Sequence, residues 1–141
     1  MRVLVLWTLA LLVVGLASSP ADCQSKASPT QSASAIAKIL PGTWRMDGNP
    51  KFTRTFQADG AMIDQYEGDK SATVRGKWRL FTSKDRDPLL DSAVPGVVYL
   101  RVEDGGDVTF YAVVLADRER LRLQYTDRRG FTQEFTRVTG R

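Results

Sequence analysis

The chain has 141 residues, 43% of them hydrophobic and 26% charged, which is the size and composition of one globular domain and excludes a fibrous or wholly disordered chain. It carries a formal charge of +4, one cysteine and no histidine. Those counts exclude an intramolecular disulfide, any His-based triad or general base, and a histidine zinc site.

Met1-Arg2 is a short positive start, Val3 to Leu16 is apolar apart from Thr8, and residues 17–21 are small, so residues 1–21 read as a secretory signal peptide cleaved after Ala21. The apolar run spans roughly 21 Å as a helix, against a hydrocarbon core of about 30 Å, which argues against a membrane span. The expected location is therefore periplasmic or secreted. Cleavage removes Arg2 and no acid, so the net charge falls to +3, a balance that suits solubility. Cys23 follows soon after the cleavage point. A lipid anchor there would require a leucine-like residue and small neutral neighbours before the cysteine, whereas Pro20-Ala21-Asp22 precede it, so a free thiol is the simpler expectation.

Residues 22–34 hold no large apolar side chain and are expected to be a disordered linker, leaving 35–141 as the folded domain. Ser34 to Leu40 can form two helical turns, with Ser34 as N-cap, Ile36, Ile39 and Leu40 on one side, and Pro41-Gly42 as the stop. Such a helix would plug one end of a barrel.

From Gly42 onward, short strands alternate with turn signals at about ten-residue intervals, the spacing of an antiparallel meander. The expected strands are Gly42–Met46, Lys51–Gln57, Ala61–Glu67, Ser71–Phe81, Val97–Glu103, Val108–Ala116, Arg120–Thr126 and Phe131–Thr139. Asp47-Gly48-Asn49-Pro50 is read as the first turn, and Asp59-Gly60 as a tight hairpin because Asp-Gly accepts positive φ. Gly42-Thr43-Trp44-Arg45 recurs as Gly76-Lys77-Trp78-Arg79, and the two copies are expected to be equivalent strand starts in the two halves of the barrel. The fold class predicted is all-β: an eight-stranded antiparallel up-and-down barrel with a short N-terminal helix.

In order and spacing these motifs resemble a bacterial lipocalin-like domain over Leu40 to Val138. The carrying residues are the Gly-x-Trp strand after a short helix, Phe56 to Gly60 as Phe-x-x-Asp-Gly, the second Gly-x-Trp at mid-chain, and Phe135 to Val138 as Phe-x-Arg-Val. The resemblance implies that Trp44 packs against Arg137 to close the base of the barrel. The chain departs from secreted animal lipocalins in being shorter and in lacking a disulfide.

Alternation places Trp44, Phe56, Trp78, Leu100, Tyr111, Leu123, Tyr125 and Phe135 inward, with Gln133 and Arg137 beside Phe131 and Phe135 on the last strand. An eight-stranded interior is either filled by side chains or holds one small ligand. The candidate ligand-binding residues are accordingly Trp78, Leu100, Tyr111, Leu123, Tyr125, Gln133 and Arg137, with Trp44 and Arg137 in the competing role of barrel closure. A buried Arg137 could hold a ligand carboxylate with Tyr125 as second donor.

Two surface features remain. Thr82 to Gly96 is long for a compact domain and reads either as a lid or contact surface, or as a tolerated insertion. The outward row Arg75, Lys77, Arg79 is a solvated face or a site for an anionic surface, and it lacks the interleaved aromatics of a nucleic-acid groove.

No catalytic residues, metal ligands or cofactor are assigned: phosphate-loop and nucleophile-elbow motifs are missing, and the carboxylates of Asp85-Arg86-Asp87 and Asp104 to Asp107 fall short of calcium-loop spacing. The expected protein is an exported, non-enzymatic lipocalin-like binding protein for a small apolar or amphipathic ligand. The alternative is a solid barrel that binds a protein partner through its loops or basic face, as the small β-barrel protease inhibitors of bacteria do.

Overall fold

In the computed structural model the described residues are 31–85, 87–90, 92–127 and 130–140. The expected signal peptide, Cys23 and the linker up to residue 30 lie outside them. Among the described residues no helix is long and apolar enough to cross a membrane.

The elements are α1 (Ala33–Ile39), β1 (Gly42–Met46), β2 (Asn49–Phe56), β3 (Ala61–Tyr66), β4 (Asp69–Thr82), β5 (Val98–Asp104), β6 (Asp107–Ala116), β7 (Arg120–Tyr125) and β8 (Thr132–Arg137). Each strand pairs antiparallel with the next, and β1 pairs with β8 through Trp44 opposite Arg137, so the sheet closes on itself as an eight-stranded up-and-down barrel. Closure leaves no free edge strand.

Several boundaries depart from expectation for local reasons. The helix starts earlier because Ser32, and not Ser34, caps it: the Ser32 side chain accepts from Ala35 N at 3.2 Å, answering one of the orphan N–H groups of the first turn. The expected linker therefore ends before Ala33. The first turn is only Asp47-Gly48, with Asn49 and Pro50 already in β2. Pro50 is tolerated because the β1–β2 register breaks between Arg45 and Met46, where a ladder N–H is not required.

The two Gly-x-Trp copies are not equivalent strand starts. Gly42 opens β1, whereas Gly76 lies in the middle of the 14-residue β4. They share a different property, close approach. A Cβ on Gly42 would lie 2.3 Å from Arg137 Nη1, and one on Gly76 would lie 2.1 Å from the Glu103 carbonyl oxygen. Both tryptophans then donate an indole N–H to a backbone carbonyl, Trp44 to Leu40 at 2.8 Å and Trp78 to Gln57 at 2.9 Å.

Two apolar clusters form on opposite faces of the sheet. The barrel interior contains Trp44, Phe56, Met62, Leu100, Val102, Tyr111, Leu121, Leu123 and Phe135, with Ile36 and Leu40 of the helix region joining them at one end. Outside the wall, Phe81 stacks on Tyr99 at 5.4 Å and meets Phe110 edge-on at 5.8 Å. The connection between β4 and β5 packs Leu90, Ala93 and Val97 over this outer cluster. Its anchor is the buried Asp87, whose carboxylate accepts from Arg79 and from Leu89 N and lies 3.6 Å from Arg101 Nε. The long loop is thus a strap on the outer wall, and Arg79 of the basic row is committed to it.

Candidate functional site

The barrel has two unlike ends. At one, α1, the β2–β3 and β6–β7 turns and the end of β8 come together; at the other lie the β1–β2, β3–β4, β5–β6 and β7–β8 turns. At the helix end, the Arg137 guanidinium lies 4.1 Å from the centre of the Trp44 ring. Its nitrogens donate to three carbonyls: Nη1 to Pro41 at 3.0 Å, Nε to Arg118 at 2.6 Å and Nη2 to Ile39. One side chain thus joins α1, the start of β1 and the β6–β7 turn. Trp78 is near this end as well, edge-on to Phe56 at 5.6 Å.

The opposite half of the interior is different. The sequence Phe52-Thr53-Arg54-Thr55-Phe56 puts Arg54 on the inward side with two phenylalanines, and Met62-Ile63-Asp64 does the same for Asp64 on β3. The Asp-Gly hairpin sets the register that places Arg54 directly opposite Asp64. They form a two-pronged ion pair, Nε to Oδ1 and Nη2 to Oδ2, both 2.7 Å, with each residue less than a tenth exposed. Counting back from the expected strand ends Gln57 and Ala61, on either side of Ala58-Asp59-Gly60, would have found this pair, but alternation within single strands does not.

The side-on fork leaves Arg54 Nη1 buried with no hydrogen-bond partner among the described residues. The guanidinium lies 5.7 Å from the Phe52 ring centre and 5.9 Å from that of Tyr111, which belongs to β6 on the far wall. Burial by itself would lower the Arg54 pKa, but the hydrogen bond and charge of Asp64 outweigh it and hold the group above its ordinary value. Arg54 is therefore charged at every relevant pH. Burial pushes the Tyr111 hydroxyl well above its ordinary value, against the pull of Arg54, so it stays a protonated phenol through the neutral range.

From Tyr111 the chain of contacts runs toward the turn end. Tyr111 meets Tyr125 at 4.7 Å, and Gln133 Nε2 donates to the Tyr125 hydroxyl at 3.0 Å. The other end of that carboxamide, Gln133 Oε1, is buried without a partner among the described residues. Phe131, expected inside, instead precedes β8 and is 53% exposed, its ring 5.4 Å from that of the adjacent Tyr125. It stands just before β8, where its ring is open to water although its carbonyl still accepts from Tyr125 N at 3.1 Å.

Of the sequence candidates, Tyr111, Tyr125 and Gln133 are therefore brought together, with Arg54 and Asp64 completing the cluster. Leu100 and Leu123 are fully buried wall residues, whereas Trp78 and Arg137 belong to the helix end. Outside the barrel, Leu90, Val94, Tyr99, Ala112 and Gln124 line a groove of about 240 Å³ beside the strap. Among the described residues there is no group of three or more metal-ligating side chains. No family model, curated protein or solved structure matches this chain.

Proposed function

We propose that this is an exported, lipocalin-like binding protein that takes a small apolar or amphipathic molecule into its barrel from the turn end. One observation carries the reading. Inside a mostly apolar barrel, Arg54 Nη1 and Gln133 Oε1 are buried polar atoms without partners among the described residues, and a buried group left in that state costs about 1–3 kcal/mol. A purely structural core would gain by replacing such groups, whereas a binding site needs a few polar atoms set in apolar walls. Arg137, fully engaged by carbonyls, supports closure and leaves no donor nitrogen idle for a ligand.

The test is Nile red emission with the mature chain, because Trp44 and Trp78 both sit near the closed end and are poorly placed to report the mouth. The expected result is enhanced, blue-shifted emission that decyl-chain compounds displace. Unchanged emission, together with a melting temperature that no such compound moves, would remove the reading.

A second reading is a protein-binding module, favoured by Leu89 and Val94, which the strap leaves 60% and 55% exposed. Under it, Leu89→Asp with Val94→Asp abolishes partner capture and leaves dye binding intact.

A further inference from the structure

The polar cluster in the barrel has a definite charge, and that charge selects what can lie beside it. Resting on the reading of the barrel as a ligand carrier, we propose that the site formed by Arg54, Tyr111, Tyr125 and Gln133 takes a neutral head group that both donates and accepts hydrogen bonds, an alcohol or a primary amide, in preference to a carboxylate.

The argument starts from the ion pair. An unpaired arginine in apolar surroundings would attract an acid, and Arg54 is more than nine-tenths buried, with Nη1 lacking a hydrogen-bond partner among the described residues. Asp64 already neutralises it, at 2.7 Å through both carboxylate oxygens. A ligand carboxylate would therefore add a net negative charge to a neutral, low-dielectric site, with the Asp64 carboxylate already fixed on the same guanidinium. A cationic head meets the converse problem in Arg54.

What the pair leaves open is a hydrogen bond and not a charge. Arg54 Nη1 can donate to a carbonyl or hydroxyl oxygen, and the idle end of the Gln133 carboxamide can pair with the head group's own polar hydrogen. The tyrosines fit the same requirement. Their rings pack at 4.7 Å as an apolar wall, and the Tyr111 phenol remains protonated and uncharged.

The experiment displaces Nile red from the mature chain near neutral pH with 1-decanol, decyl methyl ether, decanamide, decanoate and decylammonium. The alcohol and the amide are expected to bind best, with 1-decanol about tenfold tighter than its ether, which accepts but cannot donate; tenfold corresponds to about 1.4 kcal/mol, the value of one net hydrogen bond. Gln133→Leu should erase the difference between alcohol and ether. Asp64→Asn, which leaves the Arg54 charge unanswered, should turn the preference toward decanoate. If that variant fails to fold, the Gln133→Leu comparison decides alone.

Decanoate binding as tightly as 1-decanol to the unmodified chain would overturn the head-group assignment while leaving the carrier reading in place. So would an alcohol-to-ether ratio near one, or a ratio that survives Gln133→Leu. Absence of any dye binding would overturn the carrier reading itself.

Discussion

Arg137 and Arg54 both lie over aromatic rings in this barrel, and their neighbours treat them differently. Arg137, at the helix end, spreads its nitrogens over the carbonyls of Ile39, Pro41 and Arg118 while its plane covers Trp44. Arg54, on the inner wall, is held by one carboxylate near Phe52 and Tyr111, and its Nη1 has no hydrogen-bond partner among the described residues. The residue type and the aromatic setting are the same. What separates the closure contact from the group we propose binds a ligand is whether its donors are all answered.

The sharpest way to break the comparison is to remove one half of the buried pair. Arg54→Leu should cost about 3–5 kcal/mol in chemical denaturation because Asp64 is left buried and uncompensated. Arg54→Leu with Asp64→Leu should recover most of that loss. Failure of the double variant to recover would mean that the pair contributes net stability, and that it is retained for the fold and not for a ligand.

A smaller loss is expected at the closed end. Arg137→Ala removes three carbonyl acceptors' partner and the cover over Trp44, about 2–4 kcal/mol from charged hydrogen bonds and cation–π contact together. Nile red affinity, measured at a temperature where the variant is folded, should be unchanged. A weakened affinity with an unaltered melting temperature would instead move Arg137 into the binding site.

The smallest effect concerns neither end specifically. Asp69, Asp85 and Asp117 accept hydrogen bonds in turns, from Ser71, Thr82 and Glu119 foremost, which lower their pKa values below the ordinary 3.8. A depressed folded pKa contributes stability that is present above the unfolded value and is lost as pH falls through the folded one. Stability from these groups should thus be flat through the neutral range and decline below about pH 4. Asp117→Asn should flatten that acid slope; an unchanged slope would show that the turn bonds do not persist in solution.

Much of the fold was legible because each connection carries its own chemistry. Asp59-Gly60 turns β2 into β3 with Gly60 at φ 89°, and Asp59 accepts from Ala61 N at 2.9 Å. All eight side chains placed inward by alternation belong to the interior cluster or pack against it. Strand length was less legible. No turn residue interrupts Asp69 to Thr82, so Gly76-Lys77-Trp78 resembled a beginning when it is the middle of one long strand. The candidate site was half visible: Tyr111, Tyr125 and Gln133 follow from parity within their strands, whereas Arg54 and Asp64 require parity and register to be combined. The strap was hidden for a related reason. Phe81, Tyr99 and Phe110 sit on the outward parity of three separate strands, and only pairing brings them side by side under Leu90, Ala93 and Val97.

By itself the sequence determined the all-β class, the number of strands and the face that most large strand side chains would take, because alternation and turn preference act over a few residues. The tertiary structure decided which charges meet. It set Asp64 against Arg54, Asp87 against Arg79, and Arg137 over Trp44, from partners 10, 8 and 93 positions apart whose pairing depends on register and closure. Burial then made one arginine a finished contact and left the other with a hydrogen bond still to give.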